Sequence, residues 1–323
     1  MLKYLAKRLI SMIPVVIAIT IIIFALVKAM PGDPARMMIN PALKEEQREA
    51  AYRAMREKLG LDYPMPVQYV KWIAATLSGD LGWSSMNNRP VKEVIAEPLR
   101  NTLILNVFVT ICEIAVILPV GVVMAVRRGS LIDKFWQVFS LIGYSMPSFF
   151  IGLSLIFIFA LKLKLLPPGS MPIAAYGKDL AYYLSWFKYM LLPMLSLTII
   201  SIAGSIRYVR NAMIEALSQD YIRTARSKGL SEKVVIYSHA FRNALIPIST
   251  IIIMSVFALL SGSAITEQVF AWKGIGYTLV LALNNRDYML VITLNLLSTM
   301  LAITANIVAD ITYGIVDPRI KLE

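Results

Sequence analysis

Histidine and cysteine are almost missing from this chain: His239 and Cys112 are the single examples among 323 residues. A lone cysteine in an apolar stretch forms no internal disulfide, and the pair cannot build a metal cluster. Charge is scarce too, at 16% of residues, whereas 58% are hydrophobic; soluble proteins carry about 25% and 45–50%. The sequence contains no GxxxxGK(S/T) phosphate loop, so ATP is not bound here in that manner, and neither HExxH nor GxSxG occurs. With no nucleophile beside a base, an intramembrane enzyme is a distant reading. His239 reads as an ordinary helical residue, and no cofactor is expected in the chain. No internal repeat is visible. A formal net charge of +12 is compatible with nucleic-acid binding, but the basic residues flank apolar runs, which is the pattern of membrane topology signals. The first apolar run is too long for a cleavable signal peptide and ends at Met30-Pro31-Gly32-Asp33 without a small-residue cleavage pattern.

What is present is a series of charge-free intervals: Arg8 to Lys28, Lys134 to Lys162, Lys188 to Arg207, Arg242 to Glu267 and Asp287 to Asp310. Arg100 to Arg127 makes another, interrupted only by Glu113. A helix needs about 20 residues to cross the hydrocarbon core, and only helices or closed barrels satisfy their backbone there. No alternating barrel pattern occurs, so the expected fold is an all-α integral membrane protein with six transmembrane helices. Lys3, Lys7, Arg8, Arg127, Arg128, Lys134, the basic residues from Arg207 to Arg242, Arg319 and Lys321 fall on one side. Once the long segment after the first span is set aside, as the rule for short loops requires, only Lys28, Lys162, Lys164, Lys178, Lys188, Lys273 and Arg286 stand against them, so the first set leads by about two to one and marks the cytoplasm. Both termini are expected inside.

The organisation follows: residues 1–30 hold the N-terminus and first span, 31–98 an external helical region, and 99–323 a core carrying a cytoplasmic hairpin at 211–247. In the external region Asn40-Pro41 reads as cap and first turn of a helix with Leu43, Ala51, Met55 and Leu59 as its apolar stripe and Gly60 as its stop. A second helix is expected from Pro66 to Leu77, ending at Gly79. This region is a lid on the bundle, a docking surface, or both.

Glu113 lies near the middle of the second span, with Asn106 and Thr110 on nearby turns. A carboxyl facing lipid costs about 2.5–3.5 kcal/mol or more, so it turns inward. It reads first as a tie to a neighbouring helix or subunit, second as part of a translocation path. The third span holds Gly143-Tyr144-Ser145-Met146-Pro147-Ser148, a kink whose Ser145, Met146 and Ser148 are further path candidates. Pro193 and Pro247 are expected to open the fourth and fifth spans, and a short external helix to follow Gly276. The seventeen methionines read as adaptable packing.

The cytoplasmic stretch from Asn211 to Pro247 carries its own start and stop signals. Ser218 is expected to cap a short helix with Asp220 in its first turn, Arg226 and Lys228 in its last and Gly229 as the stop. Ser231 starts a return helix through Val234, Tyr237 and Ala240. Tyr221, Ile222 and Ala225 share a face and form an apolar knob ringed by Arg223 and Arg226, suited to a cleft in another protein.

Glu215-Ala216-Leu217, then Gly229, then Ile246-Pro247 resemble the EAA loop of ABC importer permeases, and DYIRTARSKGLSEK at 220–233 resembles its dipeptide, oligopeptide and nickel branch. The stretches at 31–35, 61–72 and 79–84 and the closing Asp317-Pro318-Arg319 are similar to the B-type subunit of peptide permeases, so the likeness covers essentially the whole chain. Leu217 departs from the motif's second alanine. The resemblance implies a type I permease fold in a prokaryotic plasma membrane. It implies a homologous second permease, two cytoplasmic ATPases that bind ATP and Mg, and an external solute-binding protein. It assigns ATPase coupling to Glu215, Ala216, Ser218, Asp220, Tyr221, Ile222, Arg223, Thr224, Ala225 and Gly229. Peptides are the expected cargo, with nickel complexes or sugars as alternatives within the family. A secondary transporter is the competing class; it would need inverted repeats and coupling carboxylates, and only Glu113 fits.

Overall fold

The computed structural model describes residues 2–30, 32–37, 39, 42–172, 179–260 and 262–316. Five of its helical stretches are long and apolar enough to cross a membrane: Ile10–Lys28, Val91–Val126, Leu180–Leu217, Glu232–Phe257 and Tyr288–Val308. A bent pair, Leu131–Ser145 with Ser148–Lys162, supplies the sixth. An even number of crossings returns the chain to the side it started from.

The first span is α1 (Leu2–Lys28). After it come α2 (Pro34–Met37), α3 (Glu45–Lys58) and α4 (Met65–Leu77), then a two-stranded hairpin of β1 (Trp83–Ser84) and β2 (Arg89–Pro90). The expected stops hold: Gly60 and Gly79 take φ of 63° and 85°. The start of α3 is Glu45 behind an N-cap at Lys44, with Glu45 and Glu46 favoured by the positive end of the helix; Asn40 and Pro41 lie outside the described residues. This region packs as a lid. Phe24 of α1 stacks on Trp72 and meets Tyr69 edge-on, and the Thr20 and Tyr69 hydroxyls are 2.8 Å apart. Asp287, 1% exposed, accepts bonds from the Ser84 hydroxyl and the Met86 N–H while also capping the next helix at the Leu290 N–H. The short hairpin was not foreseen, because two residues per strand leave no alternating pattern to read.

The core begins at α5 (Val91–Val126). The helix starts at Val91 behind Pro90 and carries Pro98 inside it. The third span is α6 (Leu131–Ser145) and α7 (Ser148–Leu155), the latter running on as a π-helix over Ile156–Lys162. The expected kink is a break of 106°. Its cause is local: the residue before a proline is pushed out of the helical region, and Met146 takes φ −74°, ψ 134°.

The fourth span is α8 (Leu180–Leu217), opened by Asp179, whose carboxylate accepts from the Tyr182 N–H. Pro193 sits inside it, as Pro247 sits inside α11 (Arg242–Leu260), so neither proline opens its span. In lipid a broken helix leaves polar groups unmet, and the polar residues that stop a helix lie further out at Asp179. At 38 residues α8 is about 57 Å long and outreaches the roughly 30 Å hydrocarbon layer. Beyond α11 the fifth interval does not continue straight to Glu267. It turns at Gly262 and gives α12 (Ala264–Val269) and α13 (Ile275–Asn284), after which α14 (Tyr288–Val316) forms the last span.

Three buried clusters stack along the bundle. The outer one joins Val27, Val91, Ile275 and Leu290, the middle one Leu105, Met190 and Trp272, and the inner one Ile117, Met124, Ile206, Met213, Val235 and Ile248. Between them sit polar ties. Glu267, 1% exposed, accepts from the Thr102 hydroxyl at 3.0 Å and the Tyr277 N–H at 2.9 Å, holding α12 and α13 to α5.

Burial pushes the Glu267 carboxyl up to about 7, against 4.5 for an ordinary one. A carboxyl that holds its proton more tightly when folded adds stability that is full below about pH 4.5 and lost as pH climbs through about 7, here about 3 kcal/mol at most. Hydrogen-exchange protection over 264–284 in nanodiscs, taken relative to the intrinsic exchange rate at each pH, is therefore expected to fall from pH 5 to pH 8, and Glu267→Gln to flatten that fall.

Candidate functional site

At its inner end α8 gives way to a short exposed helix, α9 (Asp220–Ser227), and a return helix that begins as α10 (Glu232–Val234), passes through a π-helical stretch over Val235–Phe241 and merges into α11. Gly229 separates the two with φ 74° and its N–H on the Arg226 carbonyl. Ser231 precedes α10 as expected, although its side chain makes no cap bond. The Arg226 guanidinium forks onto Glu232 at 2.8 and 3.2 Å, locking one arm to the other and raising the Arg226 pKa further.

Two expectations change here. Ser218 does not cap α9: it is the C-cap of α8, its hydroxyl donates to the Glu215 carbonyl, and Gln219 stands at the start of α9. The two-residue turn gives its first position to the end of α8 and leaves the start of α9 to Gln219. The knob is also divided. Ile222 and Ala225 are 0% and 5% exposed and face inward, packed with Val209, Met213, Ala216 and Val235, whereas Tyr221 is 40% exposed. Eight residues of helix have no tertiary hold without that inward pair, so periodicity alone could not tell seat from knob. Thr224 is exposed beside Tyr221, with its hydroxyl on the Asp220 carbonyl. Asp220 and Arg223 form an exposed pair at 3.5 Å. Glu215 is exposed and Ala216 buried. Of the ten expected coupling residues, Glu215, Ser218, Asp220, Tyr221, Arg223, Thr224 and Gly229 line the outer face, and Ala216, Ile222 and Ala225 form its footing.

The path candidates differ in burial. Glu113, 2% exposed, accepts from Ser205 of α8 at 2.7 Å and from Ser255 of α11 at 3.1 Å. It thereby ties α5 to α8 and α11. Ser145 and Met146 are exposed and Ser148 half-buried at the break in the third span.

One feature escaped the sequence. Asp133, 1% exposed in the first turn of α6, receives the Arg210 guanidinium of α8 in two bonds of 2.6 and 2.9 Å, and the Gly129 N–H as a third donor. Arg210 itself is only part-buried, so removing it costs less than the about 3–5 kcal/mol of a fully buried pair. The available signal was Ser130 followed three residues later by Asp133, which marks a helix start; its distant partner has no local mark.

Residues 117–322 match the family described as "Binding-protein-dependent transport system inner membrane component", and residues 1–106 match its N-terminal companion. The chain belongs to that family. This permease is 37% identical to the oligopeptide transport system permease protein AppB of Bacillus subtilis over 99% of this chain and 100% of the relative. It is 38% identical to the dipeptide transport system permease protein DppB of Escherichia coli K12 over 99% of each. With the glutathione transport system permease protein GsiC of Salmonella paratyphi A it shares 35% over the same fraction. The fold is similar to a chain of the MetNI methionine ABC transporter in an inward-facing conformation, with TM-score 0.51, 18% identity and coverage of 69% of this chain and 96% of that one. The permease is a multi-pass inner-membrane transport component of an ABC importer and not an enzyme.

A side chain at Gly229 would meet nothing within 4 Å, so substitution acts through backbone strain alone, about 1–2 kcal/mol for most residues. Gly229→Asn, which tolerates that conformation, is expected to retain most uptake in cells, and the β-branched Gly229→Val to lose most of it.

Proposed function

We propose that this permease forms, with a homologous second permease, the path by which an ATP-driven importer moves peptides inward. Two ATPases below it bind ATP and Mg, and a binding protein outside delivers the cargo. Peptides are favoured over nickel complexes or sugars by relatives whose names concern oligopeptides, dipeptides and glutathione and which align over nearly the full length.

The observation that carries the mechanism is the divided face of α9. Tyr221 and Thr224 point away from the bundle, ringed by Arg223, Lys228 and Asp220, while Ile222 and Ala225 are sunk into the inner cluster. A cleft in an ATPase gripping the outward pair would thereby push on α8 and α11 directly. The switch needs the ATPase to prefer one arrangement of the permease in its ATP-bound form, since a partner with equal affinity for both shifts nothing. ATP enters the cycle only through the partner, and the hairpin is the handle on this chain.

Outward and inward residues are expected to fail differently. Tyr221→Ala leaves the inner cluster intact, so the permease stays in the membrane at normal abundance while peptide uptake falls at least about ten-fold, one lost contact's worth of about 1.4 kcal/mol. Ile222→Ala opens a cavity worth about 2–5 kcal/mol and is expected to lower abundance as well. Quantitative blotting beside radiolabelled dipeptide uptake separates the two; normal uptake by Tyr221→Ala contradicts the coupling role. Uptake into liposomes holding the permease without an ATPase would instead establish a secondary transporter.

A further inference from the structure

We infer that Asp133 and Arg210 are a positioning pair that fastens the inner half of the third span to the helix bearing the coupling hairpin, so that hairpin and bend move as one body. The inference rests on the coupling role proposed for α9. Arg210 lies about two turns before α8 ends at Leu217. Asp133 opens α6, whose far end is the break at Met146 and Pro147. The pair is therefore the attachment nearest the hairpin on the element that ends at Ser145.

Two further attachments continue it along the same helix. The Ser140 hydroxyl donates to the Ala203 carbonyl of α8, and a Cβ placed on Gly143 would lie 2.7 Å from the Cβ of Ala203. Beyond the break α7 stays against α8 and packs on α12 as well. Gly152 of α7 lies against Val269 and Phe270, and the Ser170 N–H donates to the Phe270 carbonyl. The third span is thus held at its inner half by α8 and at its outer half also by the α12 corner, with the break between them.

A planar guanidinium bonded through two nitrogens to both oxygens of one carboxylate fixes separation and rotation together. Apolar contacts between helices set distance but allow sliding. The Gly129 N–H donates to the same Oδ2 that receives Arg210 Nη2, so that oxygen is held by two donors. A lysine at 210 would keep the charge and lose the fork. The pair transmits motion and touches neither cargo nor ATP.

The test uses the whole importer in nanodiscs and proteoliposomes, measuring peptide uptake and ATP hydrolysis together. Arg210→Lys, which keeps a positive charge opposite Asp133, is expected to assemble and hydrolyse ATP within about two-fold of the native complex, while uptake per ATP falls about ten-fold. An unchanged ratio, or uptake and hydrolysis falling in parallel as a merely structural role requires, overturns the inference. A second measurement does not depend on that variant: on a Cys112→Ser background, Gly143→Cys with Ala203→Cys is cross-linked by oxidation, the helices needing to separate by about 1 Å to reach disulfide geometry. Because the two helices travel together, uptake is expected to be equal in oxidised and reduced samples. Uptake blocked by oxidation and restored by reductant, or failure to cross-link at all, contradicts it. If the hairpin reading itself fails, Tyr221→Ala leaves uptake unchanged; if only this inference fails, Tyr221→Ala abolishes uptake while Arg210→Lys keeps its ratio.

Discussion

The seating of Ile222 and Ala225 in the inner cluster is the interaction on which the functional geometry depends. An eight-residue helix exposed to water has no stability of its own, since nucleation costs more than a turn or two of hydrogen bonds returns. Burying the isoleucine contributes about 1.5–3 kcal/mol and joins α9 to α5, α8 and the return helix. The hairpin is therefore an extension of the bundle and not a tether. Force applied at Tyr221 reaches the spans without a soft link between.

The bilayer explains why the remaining holding points are polar. Lipid tails solvate apolar side chains as well as another helix does, so helix association there relies on close packing and on hydrogen bonds across helices. The permease places such ties at successive depths: Asp287 with Ser84 at the outer surface, Glu267 with Thr102 below it, Glu113 with Ser205 and Ser255 in the middle, and Asp133 with Arg210 near the hairpin. Each carboxylate is nearly fully buried and each is met by donors from another element. Every tie but the outermost involves α5 or α8, the two long helices that also share the middle and inner clusters.

Most of the architecture was legible in the sequence because lipid imposes a length and a composition on each span, and charges mark the ends. Helix stops at Gly60, Gly79 and Gly229 were legible because only a residue without a Cβ readily takes that backbone conformation. What failed had a different cause in each place. Pro193 and Pro247 suggested helix starts, but backbone satisfaction in lipid outweighs the local preference of proline. Ser218 has the composition of an N-cap and the position of a C-cap, which a two-residue turn decides. The face of α9 was visible from its period, yet which side of Tyr221 and Ile222 turns inward depends on Met213 and Val235 packing behind it. Ties such as Ser84 to Asp287, separated by 203 residues, leave no local trace.

The central claim, that the hairpin is rigid with its bundle and is displaced by the ATPase, is tested most directly by pulsed electron spin resonance on the assembled importer. Spin labels at Arg223 on α9 and Tyr208 on α8 report their separation with the ATPase nucleotide-free and trapped with ATP, and a label at Arg223 alone reports its distance to an ATPase-bound reference. The account predicts one narrow, unchanged separation within the permease while the distance to the reference shifts between states. A separation between positions 223 and 208 that broadens or moves by several ångströms on ATP binding would contradict it.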